Sequence, residues 1–252
     1  MRKLPRDISR QSGQPLGVAG QSTLHESAWL HVTGTARYID DLPEPEGILH
    51  AAVGHSEQAH ARVLSLDLSA VRAYPGVVAV LTVDDVPGHT DIGPVFPGDP
   101  VLAGELVEHI GQPLFAVAAT SHTAARKAAK LAKVEYEPLH AVLDTREALE
   151  KQFFVRPSHT QQRGDPDAAL AGAPHRLKGE INVGGQEHFY LEGQACVALP
   201  QEDGGMFVHT SSQHPSEVQK LVAEVLGLPI HAVTASVRRM GGGFGGKETQ
   251  AA

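Results

Sequence analysis

The sequence predicts an α+β protein made of two consecutive domains, and three observations support this prediction. From His31 onward, short apolar segments alternate with turn residues, which is typical of strands. Residues 114–137 read as strand, helix and strand within about 25 residues, the pattern of an α/β unit. Residues 206–239 repeat that order around a helix with one apolar face. We place the domain boundary near residue 151, which gives a first domain at 25–150 and an incomplete second domain at 151–252.

The composition is that of a soluble globular protein and excludes several functional classes. The chain has 252 residues, of which 41% are hydrophobic and 20% charged. Its net charge of −8 argues against binding to a nucleic-acid backbone, which requires a basic face. No apolar run approaches the roughly 20 residues of a membrane helix, so we expect no membrane association. The first ten residues are polar and do not resemble a secretory signal, so we expect a cytoplasmic protein.

Cys196 is the single cysteine, and this count limits the chemistry of the chain. It excludes an internal disulfide framework, a cysteine-rich zinc site and an iron–sulfur cluster, which takes about four cysteines. Electron transfer would therefore need a cofactor held by other groups, or a partner that carries the clusters. Because residues 194–199 form an apolar stretch, we predict that Cys196 packs in the core of a buried strand rather than acting as a nucleophile.

The first domain follows a polar arm at residues 1–24 and begins with strands. A turn cluster at 40–47 contains two prolines and a glycine. Strands are predicted at 48–54, 76–82 and 114–119, with a loop at 87–100. A helix over 121–133 is favoured by its alanines and lysines, with Ser121 or Thr120 as the N-cap. A strand at 134–137 then closes the unit.

The second domain begins after a proline- and glycine-containing break at 156–174. Strands are predicted at 177–183, 194–200 and 206–211. A helix starts near Pro215 and carries apolar residues at helical spacing, namely Val218, Leu221, Val222, Val225 and Leu226. Pro215 suits the first helical turn, and Gly227 can provide a left-handed C-terminal residue. A strand at 230–239 leads directly into a glycine-rich segment.

That glycine-rich segment, residues 240–248, is the main candidate for chemistry, because five of the six residues at 241–246 are glycine. A dinucleotide fingerprint fits poorly, since that motif should follow the first strand of a βαβ unit. A phosphate loop fits up to Lys247, but Glu248 replaces the hydroxyl that holds magnesium. A flexible linker is disfavoured by Phe244 and by the lack of serine. There remains a preorganised loop for a polyanionic or metal-oxo group, with a carboxylate beside it.

Residues 238–249 resemble the molybdenum-cofactor loop of the xanthine dehydrogenase/aldehyde oxidase family. Residues 185–192 resemble the family's entry into its first cofactor-binding domain, and residues 211–217 its segment with a cofactor-contacting glutamine. Residues 32–41 and 109–114 resemble its α/β hammerhead domain. The similarity is greatest to the separate molybdenum-binding subunit of bacterial members. The resemblance implies a hammerhead domain followed by the start of a molybdenum-cofactor-binding α+β domain.

The resemblance implies specific roles for five residues. Gln213 would donate its side-chain amide to the apical oxo group of molybdenum without being a direct ligand. Gly243, Phe244 and Gly245 would contact the molybdopterin cofactor, the last two through their backbone N–H groups. Glu248 would orient the substrate by hydrogen bonding to a purine, since aldehyde-oxidising relatives tend to carry an apolar residue there.

The function implied by the resemblance is hydroxylation of hypoxanthine and xanthine toward urate, with water as the oxygen source. Electrons would pass to a partner subunit that carries iron–sulfur clusters and FAD. The family's molybdenum subunit extends far beyond this loop, so we expect the chain to correspond to its N-terminal portion and to be inactive alone. The general-base glutamate would lie outside it. Two alternatives are a non-catalytic truncated fragment or docking module, and a molybdenum aldehyde oxidoreductase.

Overall fold

The computed structural model describes residues 22–94 and 96–248, which fall into two compact units divided at Leu42. The predicted polar arm lies outside the described residues except for positions 22–24. The first unit contains helix α1 (Ala28–Val32) and a 3-10 turn at Ile39–Asp41. The Asp41 carboxylate fixes that turn by accepting a hydrogen bond from the Tyr38 backbone N–H at 2.9 Å.

Two three-stranded sheets form the first part of the second unit. One contains β1 (His50–His55), β5 (Pro113–Ala119) and β3 (Val77–Leu81), with β5 in the centre and both neighbours antiparallel to it. The other contains β4 (Leu106–Val107), β2 (Ala61–Asp67) and β6 (Lys133–Pro138), also antiparallel. The predicted strands at 48–54, 76–82, 114–119 and 134–137 are confirmed within a few residues, whereas β2 was not predicted.

The core of this part lies around β5 and the helices α2 (Ser69–Arg72) and α3 (His122–Ala129). Leu114, Phe115 and Val117 on β5 are almost fully buried. The Phe115 ring fills the space above Gly54 so completely that a Cβ there would lie 2.1 Å from it. Ser121 caps α3 as predicted, because its side chain accepts a hydrogen bond from the Ala124 N–H.

The third sheet carries the C-terminal part of the described chain. It contains β7 (Cys196–Pro200), β8 (Met206–Thr210) and β9 (Val233–Ser236), with β8 in the centre, antiparallel to β7 and parallel to β9. Helix α6 (Pro215–Leu226) connects β8 to β9. Its predicted features are confirmed: Pro215 begins it, and Gly227 ends it in the left-handed region at φ 65°. This crossover places residues 211–214 and the segment after β9 at the same edge of the sheet.

Cys196 corrects one prediction, since it is exposed rather than packed in a core. On β7 the alternation leaves Cys196, Ala198 and Pro200 exposed, with Val197 and Leu199 half-buried. β7 is an edge strand of its sheet, paired only with β8 among the described strands. An apolar run in sequence therefore overstated the burial of this strand.

The connecting segment between β6 and β7 also differs from the prediction. It contains two short helices, α4 (Thr145–Glu150) and α5 (Pro166–Gly172), but no strand at 177–183. Leu177, Ile181 and Val183 alternate as in a strand, yet all three are exposed. No described strand lies beside them to supply hydrogen bonds, which a strand requires.

The last predicted strand, at 230–239, is shorter than expected. Ile230–Ala232 forms a 3-10 turn, and only β9 is extended and paired. Pro229 immediately precedes that turn. Among the described residues, no helix is both long and apolar enough to cross a membrane.

Candidate functional site

The glycine loop, which we define as residues 241–247, has a fixed structure against residues 190–194. The Gly241 N–H donates to Glu192 Oε2 at 2.8 Å, and the Glu192 N–H donates back to the Gly241 carbonyl at 3.3 Å. Within the loop, the Gly246 N–H donates to the Gly243 carbonyl at 2.7 Å. These bonds exclude the flexible-linker alternative, because a linker's backbone would be solvated.

Gln213 joins the glycine loop to the sheet edge between β8 and α6. Its backbone N–H donates to the Lys247 carbonyl at 2.7 Å. Its side-chain oxygen Oε1 accepts from the Gly245 N–H at 2.9 Å and the Lys247 N–H at 3.2 Å. Its Nε2 group forms no hydrogen bond with any described residue. The side chain is thus held by its oxygen and leaves its amide NH2 free to donate.

The backbone at Gly243, Phe244 and Gly245 explains why this stretch is rich in glycine. Gly243 is buried, and a Cβ there would lie 2.5 Å from Gln213 Oε1. Gly245 has a φ of 90°, which glycine adopts without strain, whereas Phe244 has a φ of 50°, which is uncommon for a residue with a side chain. The Phe244 ring is 75% exposed, and its N–H forms no hydrogen bond with a described residue. By contrast, the Gly245 N–H, which we had expected to face the cofactor, is bonded to Gln213.

Hydrogen bonds from Gln194 and Ser212 hold the C-terminal end of the glycine loop. Gln194 Nε2 donates to the Gly246 carbonyl at 3.0 Å and to the Tyr190 hydroxyl at 3.2 Å. The buried Ser212 hydroxyl donates to the Lys247 carbonyl at 3.2 Å. The loop is therefore anchored on two segments far apart in sequence.

Sequence reasoning missed a buried ion pair beneath the loop. The Lys247 side chain is fully buried, and its Nζ lies 3.2 Å from Glu192 Oε2 and 4.8 Å from the centre of the Tyr190 ring. The Glu192 side chain is only 8% exposed. The resemblance of Lys247 to a phosphate-loop lysine was the available signal, but its charge is satisfied inside the protein.

Two further residues beside this centre, Glu248 and His214, differ in exposure and in hydrogen bonding. Glu248 directly follows the loop, is exposed, and forms no hydrogen bond or ion pair with a described residue. His214 caps α6, because its Nδ1 accepts from the Glu217 N–H at 3.2 Å. The structure thus brings Gln213, Gly243 and Gly245 into direct contact, and leaves the Phe244 ring and Glu248 at the surface.

The donor set fits an electron-rich, weakly basic group such as a metal-oxo group. The Gln213 NH2 and the Phe244 N–H are neutral donors with no described partner. The positive charge of Lys247 is already paired with Glu192, so this lysine is not available to a free phosphate. The arrangement can bind and orient an acceptor through hydrogen bonds.

Two family models match adjoining parts of the chain. Residues 33–140 match the aldehyde oxidase and xanthine dehydrogenase a/b hammerhead domain. Residues 147–252 match the molybdopterin cofactor-binding domain. The glycine loop and Gln213 both lie in the second match.

Curated relatives and solved structures agree with these matches. Xanthine dehydrogenase/oxidase of Gallus gallus is 39% identical over 92% of the chain, and aldehyde oxidase 4 of Cavia porcellus is 38% identical over 94%. The chain spans only 17% and 18% of those two proteins. The structure of quinoline 2-oxidoreductase from Pseudomonas putida 86 matches with a TM-score of 0.75 and 28% identity, over 91% of this chain and 32% of that one.

Proposed function

Because this chain belongs to the aldehyde oxidase and xanthine dehydrogenase family, we propose that it is the N-terminal part of a molybdenum hydroxylase of the xanthine dehydrogenase type. It contributes a hammerhead domain and the first part of the molybdopterin cofactor-binding domain. The observation that carries the proposal is the fixing of Gln213 by the glycine loop. The loop takes up the side-chain oxygen of Gln213 and leaves its NH2 donor free.

Residues of this chain would hold and orient the molybdenum cofactor. Gln213 Nε2 would donate to its oxo group, and the Phe244 N–H would donate to its pterin or oxo end. Gly243 lets the loop approach Gln213 without a clash, and Gly245 keeps the Gln213 oxygen engaged. When bound, the cofactor supplies the redox centre for hydroxylating hypoxanthine and xanthine toward urate with oxygen from water.

Glu248 orients the purine. A carboxylate accepts hydrogen bonds from ring N–H groups, and it discriminates against substrates that would leave it desolvated and unpaired. Its lack of a described partner is consistent with a group available to a ligand. Because Glu248 follows Lys247, the anchored loop sets the direction in which its backbone leaves the site.

Electrons leave through a partner subunit with iron–sulfur clusters and FAD. Cys196 is the single cysteine of the chain, so no iron–sulfur cluster can be ligated here by cysteines alone. We place the enzyme in the cytoplasm.

An aldehyde substrate is the second candidate, because aldehyde oxidase 4 of Cavia porcellus is nearly as similar as the xanthine dehydrogenases.

The test uses the purified protein that contains this chain, with molybdenum and pterin content measured beside turnover of xanthine and of an aldehyde. Gln213→Ala should lower molybdenum content, whereas Gln201→Ala, on an exposed turn, should not. Molybdenum content equal in wild type and Gln213→Ala would contradict the cofactor role. A wild-type protein without molybdenum would favour the non-catalytic module.

Glu248→Ala tests the substrate. Loss of a charged hydrogen bond, about 1.5–3 kcal/mol, should lower kcat/KM for xanthine by roughly tenfold to 150-fold at unchanged molybdenum content. Glu202→Ala is the matched control, because Glu202 is an exposed glutamate on the turn between β7 and β8. Unchanged xanthine turnover in Glu248→Ala would refute the role, and faster turnover of aldehyde than xanthine in wild type would favour the second candidate.

A further inference from the structure

One carboxylate oxygen connects the two ends of the glycine loop. Glu192 Oε2 accepts the backbone N–H of Gly241, the first loop residue, at 2.8 Å. The same oxygen lies 3.2 Å from Nζ of Lys247, the last loop residue. Glu192 itself belongs to the segment under the loop. The loop is thus closed through a side chain about 50 residues earlier in the sequence.

Burial makes this connection strong. The Lys247 side chain is fully buried, and the Glu192 side chain is 8% exposed. A buried ammonium without its carboxylate is far more costly than an exposed one, because it has lost water and gained no opposite charge. Tyr190 adds only a ring face 4.8 Å from Nζ. Loss of the Glu192 charge would therefore leave the Lys247 ammonium buried without an opposite charge.

Lys247 also transmits this constraint to Gln213. Its backbone N–H donates to Gln213 Oε1 at 3.2 Å, and its carbonyl accepts from the Gln213 N–H at 2.7 Å. Two bonds in opposite directions couple the backbone of one residue to both the backbone and side chain of the other. Displacement of Lys247 must therefore rotate Gln213 or break these bonds.

We propose that Glu192 and Lys247 are positioning residues that close the glycine loop and thereby aim the Gln213 NH2 group at the cofactor. This inference rests on the proposed function, since it concerns the same site. Neither residue touches the reacting atoms in this assignment. Both act through the loop and through Gln213.

The first test measures the closure without any cofactor. In the cofactor-free protein that contains this chain, hydrogen exchange is followed in peptides covering residues 241–247 and Gln213. Glu192→Gln keeps the side-chain shape but leaves Lys247 without an opposite charge, so exchange there should become at least about tenfold faster. The matched control is Glu202→Gln, which should leave this exchange unchanged. Equal exchange in Glu192→Gln and wild type would overturn the proposal.

The second test separates positioning from general stability. In the double variant Glu192→Gln/Lys247→Met neither buried charge remains, and such replacements are often neutral or stabilising. We expect its unfolding midpoint to return to that of wild type. Because the two ends of the loop are no longer joined by an ion pair, hydrogen exchange in the loop should stay faster than in wild type. The molybdenum content should be about tenfold lower than in wild type. If loop protection and molybdenum content return to wild-type values together with the unfolding midpoint, Glu192 and Lys247 contribute only to stability. That result would overturn the proposal. The double variant also keeps the test decisive if Glu192→Gln does not fold.

The two proposals fail in different ways. If wild type contains no molybdenum but Glu192→Gln still accelerates loop exchange, the proposed function fails and the closure of the loop by Glu192 and Lys247 is supported. If wild type contains molybdenum, and if Glu192→Gln has the same loop hydrogen exchange and the same molybdenum content as wild type, the closure proposal fails and the proposed function remains.

Discussion

Substituting Gly243 by alanine should disturb Gln213 without straining the loop backbone. Gly243 does not have a positive φ, so alanine can adopt its conformation. The new Cβ would lie 2.5 Å from Oε1, 2.7 Å from Cδ and 2.8 Å from Cγ of Gln213. Contacts below 3.0 Å along the whole end of a side chain cannot be relieved by a small shift of one atom. The Gln213 side chain must therefore leave its position.

The cost follows from the two hydrogen bonds that Gln213 Oε1 accepts, from Gly245 and Lys247. A typical hydrogen bond contributes about 1 kcal/mol net, so their loss costs about 2 kcal/mol. Replacing glycine by alanine restricts the unfolded chain and returns about 0.4–1 kcal/mol. The net destabilisation is about 1–1.5 kcal/mol. For a chain of this size, each kcal/mol lowers Tm by about 2–4 °C, so we expect a decrease of about 2–6 °C.

Thermal unfolding followed by circular dichroism measures this change, with Gly184→Ala as control. Gly184 also lacks a positive φ, and a Cβ there meets nothing within 4 Å. Hydrogen exchange at Gly245 should accelerate in Gly243→Ala, because its acceptor is displaced, and should stay unchanged in the control. If Gly243→Ala matched the control in both Tm and exchange, the assignment of Gln213 as a side chain fixed by the loop would be wrong.

Three further predictions concern the scaffold. Phe115→Ala should lower the free energy of unfolding by about 3–5 kcal/mol in chemical denaturation, because Phe115 is only 1% exposed. The control Val78→Ala, at an exposed position, should change it by at most about 0.5 kcal/mol. Gly227→Ala should cost about 1–2 kcal/mol in the same assay, since φ is 65° at the end of α6, and an unchanged midpoint would contradict the left-handed cap. Hydrogen bonds from the backbone N–H groups of Gly93 and Gly98 lower the pKa of Asp91 below its ordinary 3.8. The ionised form therefore stabilises the loop above that value, and Gly98 amide protection should be lost as the pH falls through the lower folded pKa, a dependence that Asp91→Asn should abolish.

Local patterns predicted the elements whose signals come from nearby residues. Helix α6 was predicted with both ends, because Pro215, the apolar spacing and Gly227 all act within the helix itself. Central strand β5 was predicted because it is buried on both faces and reads as a continuous apolar run. The errors involve partners that the sequence does not specify. Residues 177–183 alternate as a strand but have no described strand paired with them, and Cys196 is exposed on the edge strand β7.

The sequence by itself determined the α+β class, and it offered the glycine loop and Gln213 as candidate site residues through motifs that are each continuous in the chain. Only the tertiary structure decided how these pieces meet. The crossover through α6 sets residues 211–214 beside the loop, and the chain at 190–194 passes beneath both. Glu192 and Lys247 consequently became a buried ion pair, because burial and charge pairing depend on segments far apart in sequence. A linear pattern carries periodicity and residue type, but it does not carry the distance between two side chains about 50 residues apart.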